Sequence, residues 1–150
     1  MFKNCLKLNL SGEGVDLGCG IGVIGITISH FNPAVKFTFI DVNKLALSLT
    51  KINLQTYSIE GNVIENNGLE NIEENSKDFI ITNPPIRAGK AVIYKFYEDS
   101  FKVLKKSGKL VLVIRKQQGA ESTQKKLMEI FKNCTVLDKS KGYFIYLCQK

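Results

Sequence analysis

Gly14-Val15-Asp16-Leu17-Gly18-Cys19-Gly20-Ile21-Gly22 is the stretch whose reading decides the fold. Residues 14–17 read as a short strand, and residues 21–31 are apolar at helical spacing until Asn32-Pro33 stops them. The glycines therefore sit in a strand-to-helix turn. Glycines at 18, 20 and 22 permit positive φ and let a ligand come close to the backbone. The following helix offers its free N–H groups and positive dipole end to the same place. Such a turn receives a phosphate or the carboxylate end of an amino-acid-like molecule.

Working outward, residues 35–40 form a β-branched and aromatic strand that ends at Asp41. Residues 43–53 read as a helix with Asn43 as N-cap and Leu45, Leu49 and Ile52 facing inward. A short strand is expected around Asn62-Val63-Ile64, then an acidic, polar connection over residues 70–77. Residues 79–82 are the next strand. A long amphipathic helix over 89–104 turns Val92, Ile93, Phe96, Phe101 and Leu104 inward. Lys106-Ser107-Gly108 reads as a turn, 109–114 as a central strand and 122–131 as a helix. Residues 134–137 and 142–148 form an antiparallel hairpin across a turn at 138–141. Strand and helix alternate until that hairpin. The expected fold class is α/β: a Rossmann-like, doubly wound, mostly parallel seven-stranded sheet with an antiparallel C-terminal hairpin strand. Ligands of such sheets bind beyond the carboxyl ends of the strands.

Three features at that rim carry chemistry. Gly20-x-Gly22-x-x-Gly25 meets the dinucleotide fingerprint, with Asp41 about 20 residues further on. The spacing does not separate a nicotinamide cofactor from S-adenosylmethionine. Asp41 ends its strand where a carboxylate accepts from ribose hydroxyls, or else forms an Asx turn into the next helix. Asp16 either contacts the ligand or ties down loop N–H groups. The third feature is Asn83-Pro84-Pro85-Ile86, directly after the strand at 79–82. Two prolines keep the backbone extended and offer no N–H, so their carbonyls and the Asn83 carboxamide are expected to stay free as acceptors. The Asn83 oxygen and the Pro84 carbonyl suit the two hydrogens of an exocyclic amine, turning its lone pair toward an electrophilic methyl. A nicotinamide oxidoreductase has no use for such a loop.

Composition bounds the partners. The chain has 150 residues, 44% of them hydrophobic, enough for one domain over 1–150 with a real core. No apolar stretch reaches membrane-span length, and residues 1–10 make a poor signal peptide. Cys5, Cys19, Cys134 and Cys148 are scattered and only one histidine, His30, is present, which points to reduced thiols, a cytoplasmic setting and no metal site. Residues 1–78 hold six Lys/Arg against nine Asp/Glu, whereas residues 79–150 hold fifteen against five. That asymmetry suggests a polyanionic partner, RNA first.

Asp16-Leu17-Gly18-Cys19-Gly20 together with Asn83-Pro84-Pro85-Ile86 resembles the class I S-adenosylmethionine-dependent methyltransferases that modify amino nitrogens. The strings Thr82-Asn83-Pro84-Pro85-Ile86-Arg87-Ala88-Gly89-Lys90, Lys116-Gln117-Gln118-Gly119-Ala120 and Lys141-Gly142-Tyr143 are similar to the small-domain members related to 16S ribosomal RNA guanine-N2 methyltransferases. The resemblance implies S-adenosylmethionine as cofactor, with Gly18, Gly20 and Gly22 along its methionine part, Asp41 at the ribose and Asn67 near the adenine amine. It implies Asn83 and Pro84 as the catalytic acceptors, with Pro85, Ile86, Arg87 and Lys90 toward the substrate. Ile86 stands where adenine and glutamine methyltransferases usually carry an aromatic, which favours guanine N2. The implied partner is ribosomal RNA or the small ribosomal subunit. A protein-glutamine methyltransferase and a catalytically idle cofactor- and RNA-binding module are the rival readings. Members of the family carry several dozen residues before the glycine motif, against Met1–Glu13 here, so a short or missing amino-terminal cap is expected.

Overall fold

A computed structural model describes residues 3–150. Of the amino-terminal reading over residues 1–10, Met1 and Phe2 lie outside the described residues. The elements run α1 (Lys3–Leu6), β1 (Gly12–Leu17), α2 (Val23–Phe31), β2 (Val35–Asp41), α3 (Lys44–Thr56), β3 (Gly61–Glu65) and β4 (Lys77–Thr82). They continue with α4 (Lys90–Val103), β5 (Leu104–Arg115), α5 (Ala120–Phe131), β6 (Thr135–Ser140) and β7 (Tyr143–Gln149). All seven strands join one sheet in the order β3-β2-β1-β4-β5-β7-β6. Every pairing is parallel except those of β7, which runs antiparallel to both β5 and β6. The expected sheet is the observed one.

The central strands read as continuous apolar runs because both faces are covered. Along β5, Leu110, Leu112 and Ile114 pack with Tyr97 of α4 and Leu127 of α5, while Val111 and Val113 pack with Ile28 and Phe39 on the opposite face. That is the period-2 alternation of a strand buried on two sides. Gly14 lets β1 lie against the Phe79 ring, since a Cβ there would stand 2.0 Å from Phe79 Cε2.

Val92, expected inward, is 38% exposed, and the hairpin turn expected over 138–141 is Lys141-Gly142, because β6 pairs with β7 as far as Ser140↔Tyr143. Two larger expectations are also corrected. Leu45, Leu49 and Ile52 do not face the core: they are 71%, 42% and 56% exposed. The buried stripe of α3 is Leu47, Thr50 and Leu54. Thr50 belongs there because its hydroxyl donates to the Gly20 carbonyl at 2.8 Å, pinning α3 beneath the glycine loop. Asn43 does cap the helix, accepting from the Ala46 N–H at 3.1 Å. The second correction concerns Lys106-Ser107-Gly108, which is not a turn before a strand. β5 runs through it, and the pairing with β4 jumps from Lys77–Leu104 to Phe79–Lys109. Ser107 takes φ 68, and the Ser107 N–H and Gly108 carbonyl pair with Lys150 instead. The irregularity is a bulge absorbed within one strand.

Candidate functional site

The strand order reverses between β1 and β4, because β1 is flanked by β2 on one side and β4 on the other. The carboxyl ends of these strands deliver the glycine loop, Asp41 and the Asn-Pro-Pro loop to one rim. Gly18, Gly20 and Gly22 take φ 68, 55 and 83, the left-handed region that only glycine occupies freely. A Cβ built at Gly18 or Gly20 meets nothing within 4 Å, so the loop's bare backbone faces open space. That is the form of a cradle for a ligand rather than of a turn closed against its own protein. The thiol of Cys19 is pushed up to about 12, chiefly by burial and then by the charge of Asp16, so it stays protonated and is no nucleophile.

Asp16 is fully buried, and its Oδ2 accepts from the Gly25 N–H at 2.8 Å. It therefore locks the first turn of α2 against β1, the loop-fastening role weighed for it above. Burial pushes its carboxyl up to about 7, with the Gly25 N–H opposing and the Asp41 charge adding to the rise. Asp41 binds the glycine loop from the other side, Oδ2 accepting from the Gly20 N–H at 2.8 Å and Oδ1 from the Asn43 N–H at 2.9 Å. The Asx turn is thus present. Each carboxylate oxygen has a second lone pair, so ribose hydroxyls remain acceptable partners. Asn67 follows β3 next to Asp41, whose carbonyl accepts from the neighbouring Asn66 N–H at 3.1 Å. Its amide nitrogen donates to Glu70 Oε1 at 3.0 Å, which leaves its oxygen to accept from a ligand amine.

Asn83 is exposed at the end of β4 and Pro84 is buried behind it. Among the hydrogen bonds of the described residues, the Asn83 carboxamide and the Pro84 carbonyl have no partner. The Pro85 carbonyl is not free, a correction: it accepts from the Ala88 N–H at 2.8 Å in the 3-10 turn Ile86–Ala88. Ile86 is half-buried and packs against the core on the α4 and α5 face of the sheet, so it braces the loop. Arg87 is exposed at the site, and Lys90 begins α4 outside the cavity wall.

A cavity of about 430 Å3 opens beside these acceptors. It is lined by Asn83, Pro84, Pro85, Ile86 and Arg87 of the acceptor loop and by a second group, Arg115, Gln118 and Tyr143, from the end of β5, the turn after it and the start of β7. The second group was not among the expected site residues. Its signal lay in the Gln118 and Tyr143 strings, but only the β5–β7 register, with Arg115 opposite Tyr143, carries them to the acceptor loop. All four cysteines are free, and among the described residues no cluster of His, Cys, Asp or Glu is placed to hold a metal ion. Among the same residues no helix is long and apolar enough to cross a membrane.

Comparison with known proteins fits this geometry. The family model for the methyltransferase small domain matches residues 1–147. The chain is 38% identical over 143 residues to YbxB of Bacillus subtilis (strain 168), itself uncharacterized, covering 94% of this chain and 71% of that one. Among solved structures, the T. thermophilus 16S rRNA N2 methyltransferase RsmC, in complex with AdoMet and guanosine, superposes with a TM-score of 0.80 at 20% identity. That match covers 92% of this chain but only 37% of the larger protein. A methyltransferase from Pyrococcus furiosus superposes with a TM-score of 0.78 at 19% identity, over 96% of this chain and 78% of that one.

Proposed function

Because the chain belongs to the methyltransferase small domain family, within the class I S-adenosylmethionine-dependent methyltransferases, we propose that it methylates an exocyclic amine, guanine N2 of ribosomal RNA. The observation that carries this reading is the pair of unpartnered acceptors, Asn83 Oδ1 and the Pro84 carbonyl, beside the glycine cradle. Bound along Gly18, Gly20 and Gly22, S-adenosylmethionine supplies a sulfonium methyl. Asp41 then holds the ribose, and Asn67 accepts from the adenine amine.

Asn83 and Pro84 accept the two amine hydrogens and turn the nitrogen lone pair toward that methyl. As the N–C bond forms and the S–C bond breaks, positive charge builds on nitrogen. The two fixed acceptors strengthen with that charge, which lowers the barrier without a strong base. The extra proton leaves to water from the exposed side of Asn83. The RNA half of the proposal rests on charge. Arg87 and Arg115 line the cavity with no carboxylate among its walls, and Lys90 stands in an α4 first turn that contains no acid. A cation at a helix's positive end is unfavourable unless a phosphate joins it. RsmC, the fold relative that acts on 16S rRNA, supports the same substrate class.

The test is to incubate the protein with methyl-labelled S-adenosylmethionine and small ribosomal subunits or their RNA. Label in the RNA supports the reading. Label in ribosomal protein would transfer the activity to glutamine, and cofactor binding with no transfer would leave an idle module.

A further inference from the structure

Resting on the amine-methylation reading, we propose that Arg115, held in place by Tyr143, selects guanine by binding the acceptor edge opposite its amino group. Arg115 ends β5 and Tyr143 begins β7, in register across the antiparallel pair. Arg115 Nε donates to the Tyr143 hydroxyl at 2.6 Å, and its Cζ lies 5.0 Å from the ring centroid. The next residue locks the corner, Lys116 N–H donating to the Gly142 carbonyl at 2.8 Å. The guanidinium is therefore pre-aimed, although it is exposed. A guanidinium has five N–H donors in a rigid fork, and the contact to Tyr143 uses one. Among the described residues no carboxylate pairs with Arg115. Four donors thus stay free at a cavity that the unpartnered acceptors Asn83 Oδ1 and the Pro84 carbonyl also line, together with Arg87.

A ligand bridging Asn83 and Pro84 to Arg115 would carry an amine at one end and paired acceptors at the other. Guanine does: with N2 at Asn83 and Pro84, its O6 and N7 lie on the far side, the pair that arginine binds bidentately. Adenine held by N6 presents no such pair. Gln118, lining the same cavity, adds a carboxamide that can accept from N1–H or donate to O6. Tyr143 is a positioning residue, since it acts by fixing the guanidinium.

The experiment uses the full chain saturated with S-adenosylhomocysteine and compares guanosine with 2-aminopurine ribonucleoside by ligand-observed NMR. The second nucleoside keeps the amine and lacks O6. The expected wild-type preference for guanosine is about tenfold or more, the range of one good bidentate contact. Arg115→Met should erase that preference, and Tyr143→Phe should reduce it while keeping the ring. S-adenosylhomocysteine affinity reports folding in each variant. A wild type with no preference, or an Arg115→Met protein that keeps it or loses both nucleosides equally, overturns the proposal; equal loss would mark Arg115 as a contact to the ribose or to the purine face that both nucleosides share. If RNA is methylated at guanine N2 and the preference survives Arg115→Met, only the Arg115 assignment falls. If the cofactor fails to bind or label enters protein, the underlying methylation reading falls instead.

Discussion

Thr82 and Leu17 are joined across the switch in strand order: they are register partners of β4 and β1, and Thr82 Oγ1 donates to the Leu17 carbonyl at 2.9 Å. One residue later each strand releases a loop, glycines on one side and Asn83-Pro84 on the other. Paired strands lie about 4.8 Å apart, so the register sets the two loops side by side before any ligand arrives. Thr82 is fully buried, and Thr82→Val would leave the Leu17 carbonyl without that partner. The expected outcome is a loss of about 1–2 kcal/mol in denaturant unfolding, together with slower methyl transfer. Unchanged stability would mean the bond does not tie the two loops.

The Asn83 side chain is exposed and has no hydrogen-bond partner among the described residues, so its removal should leave the fold intact. Asn83→Ala should lower kcat about 100- to 1000-fold, the scale of losing one preorganised polar partner of a transition state. Cofactor affinity by calorimetry should stay near wild type. A variant that still turns over removes Asn83 from the chemistry.

The glycine cradle makes a separate claim. Gly20 has φ 55 and open space around a built Cβ. Gly20→Ala therefore costs backbone strain of about 1 kcal/mol and places a methyl where the cofactor should lie. We expect S-adenosylmethionine affinity to drop tenfold or more, measured by calorimetry. An unchanged dissociation constant would place the cofactor elsewhere.

Asp16 supplies a pH prediction. Its native carboxyl titrates near 7 because of burial, far above the ~3.9 of an unfolded aspartate. The folded state therefore binds this proton more tightly, and ionisation costs stability as pH rises from about 4 to about 7. Asp16→Asn keeps an oxygen for the Gly25 N–H and has no charge to bury. Its stability relative to wild type should rise between pH 5 and pH 7.5 in denaturant titrations. A difference that is flat or reversed would show that Asp16 ionises freely in the fold.

The sheet was legible because its signals are local: a glycine turn after an apolar strand, Asn43 before a helix, a final run of alternating residues. The face of α3 was not. Leu45, Leu49 and Ile52 are apolar at helical spacing, yet the buried face is Leu47, Thr50 and Leu54, with Thr50 inside because its hydroxyl has a carbonyl to meet in the glycine loop. Hydropathy counts that threonine as polar and cannot see its partner 30 residues away. The acceptor loop was found from Asn83 and two prolines alone. The second group lining the cavity was not, because Arg115 and Tyr143 meet through strand pairing across 28 residues. Even within the loop, the Pro85 carbonyl was lost to a 3-10 turn that the prolines do not announce.

The measurement that bears most directly on the account is the identity of the methylated nucleoside. Small-subunit RNA reacted with labelled S-adenosylmethionine is digested to nucleosides and resolved by mass spectrometry. N2-methylguanosine is expected with the wild-type protein and none with Asn83→Ala. Label in a methylated adenosine, in a methylated ribose or in protein would contradict it.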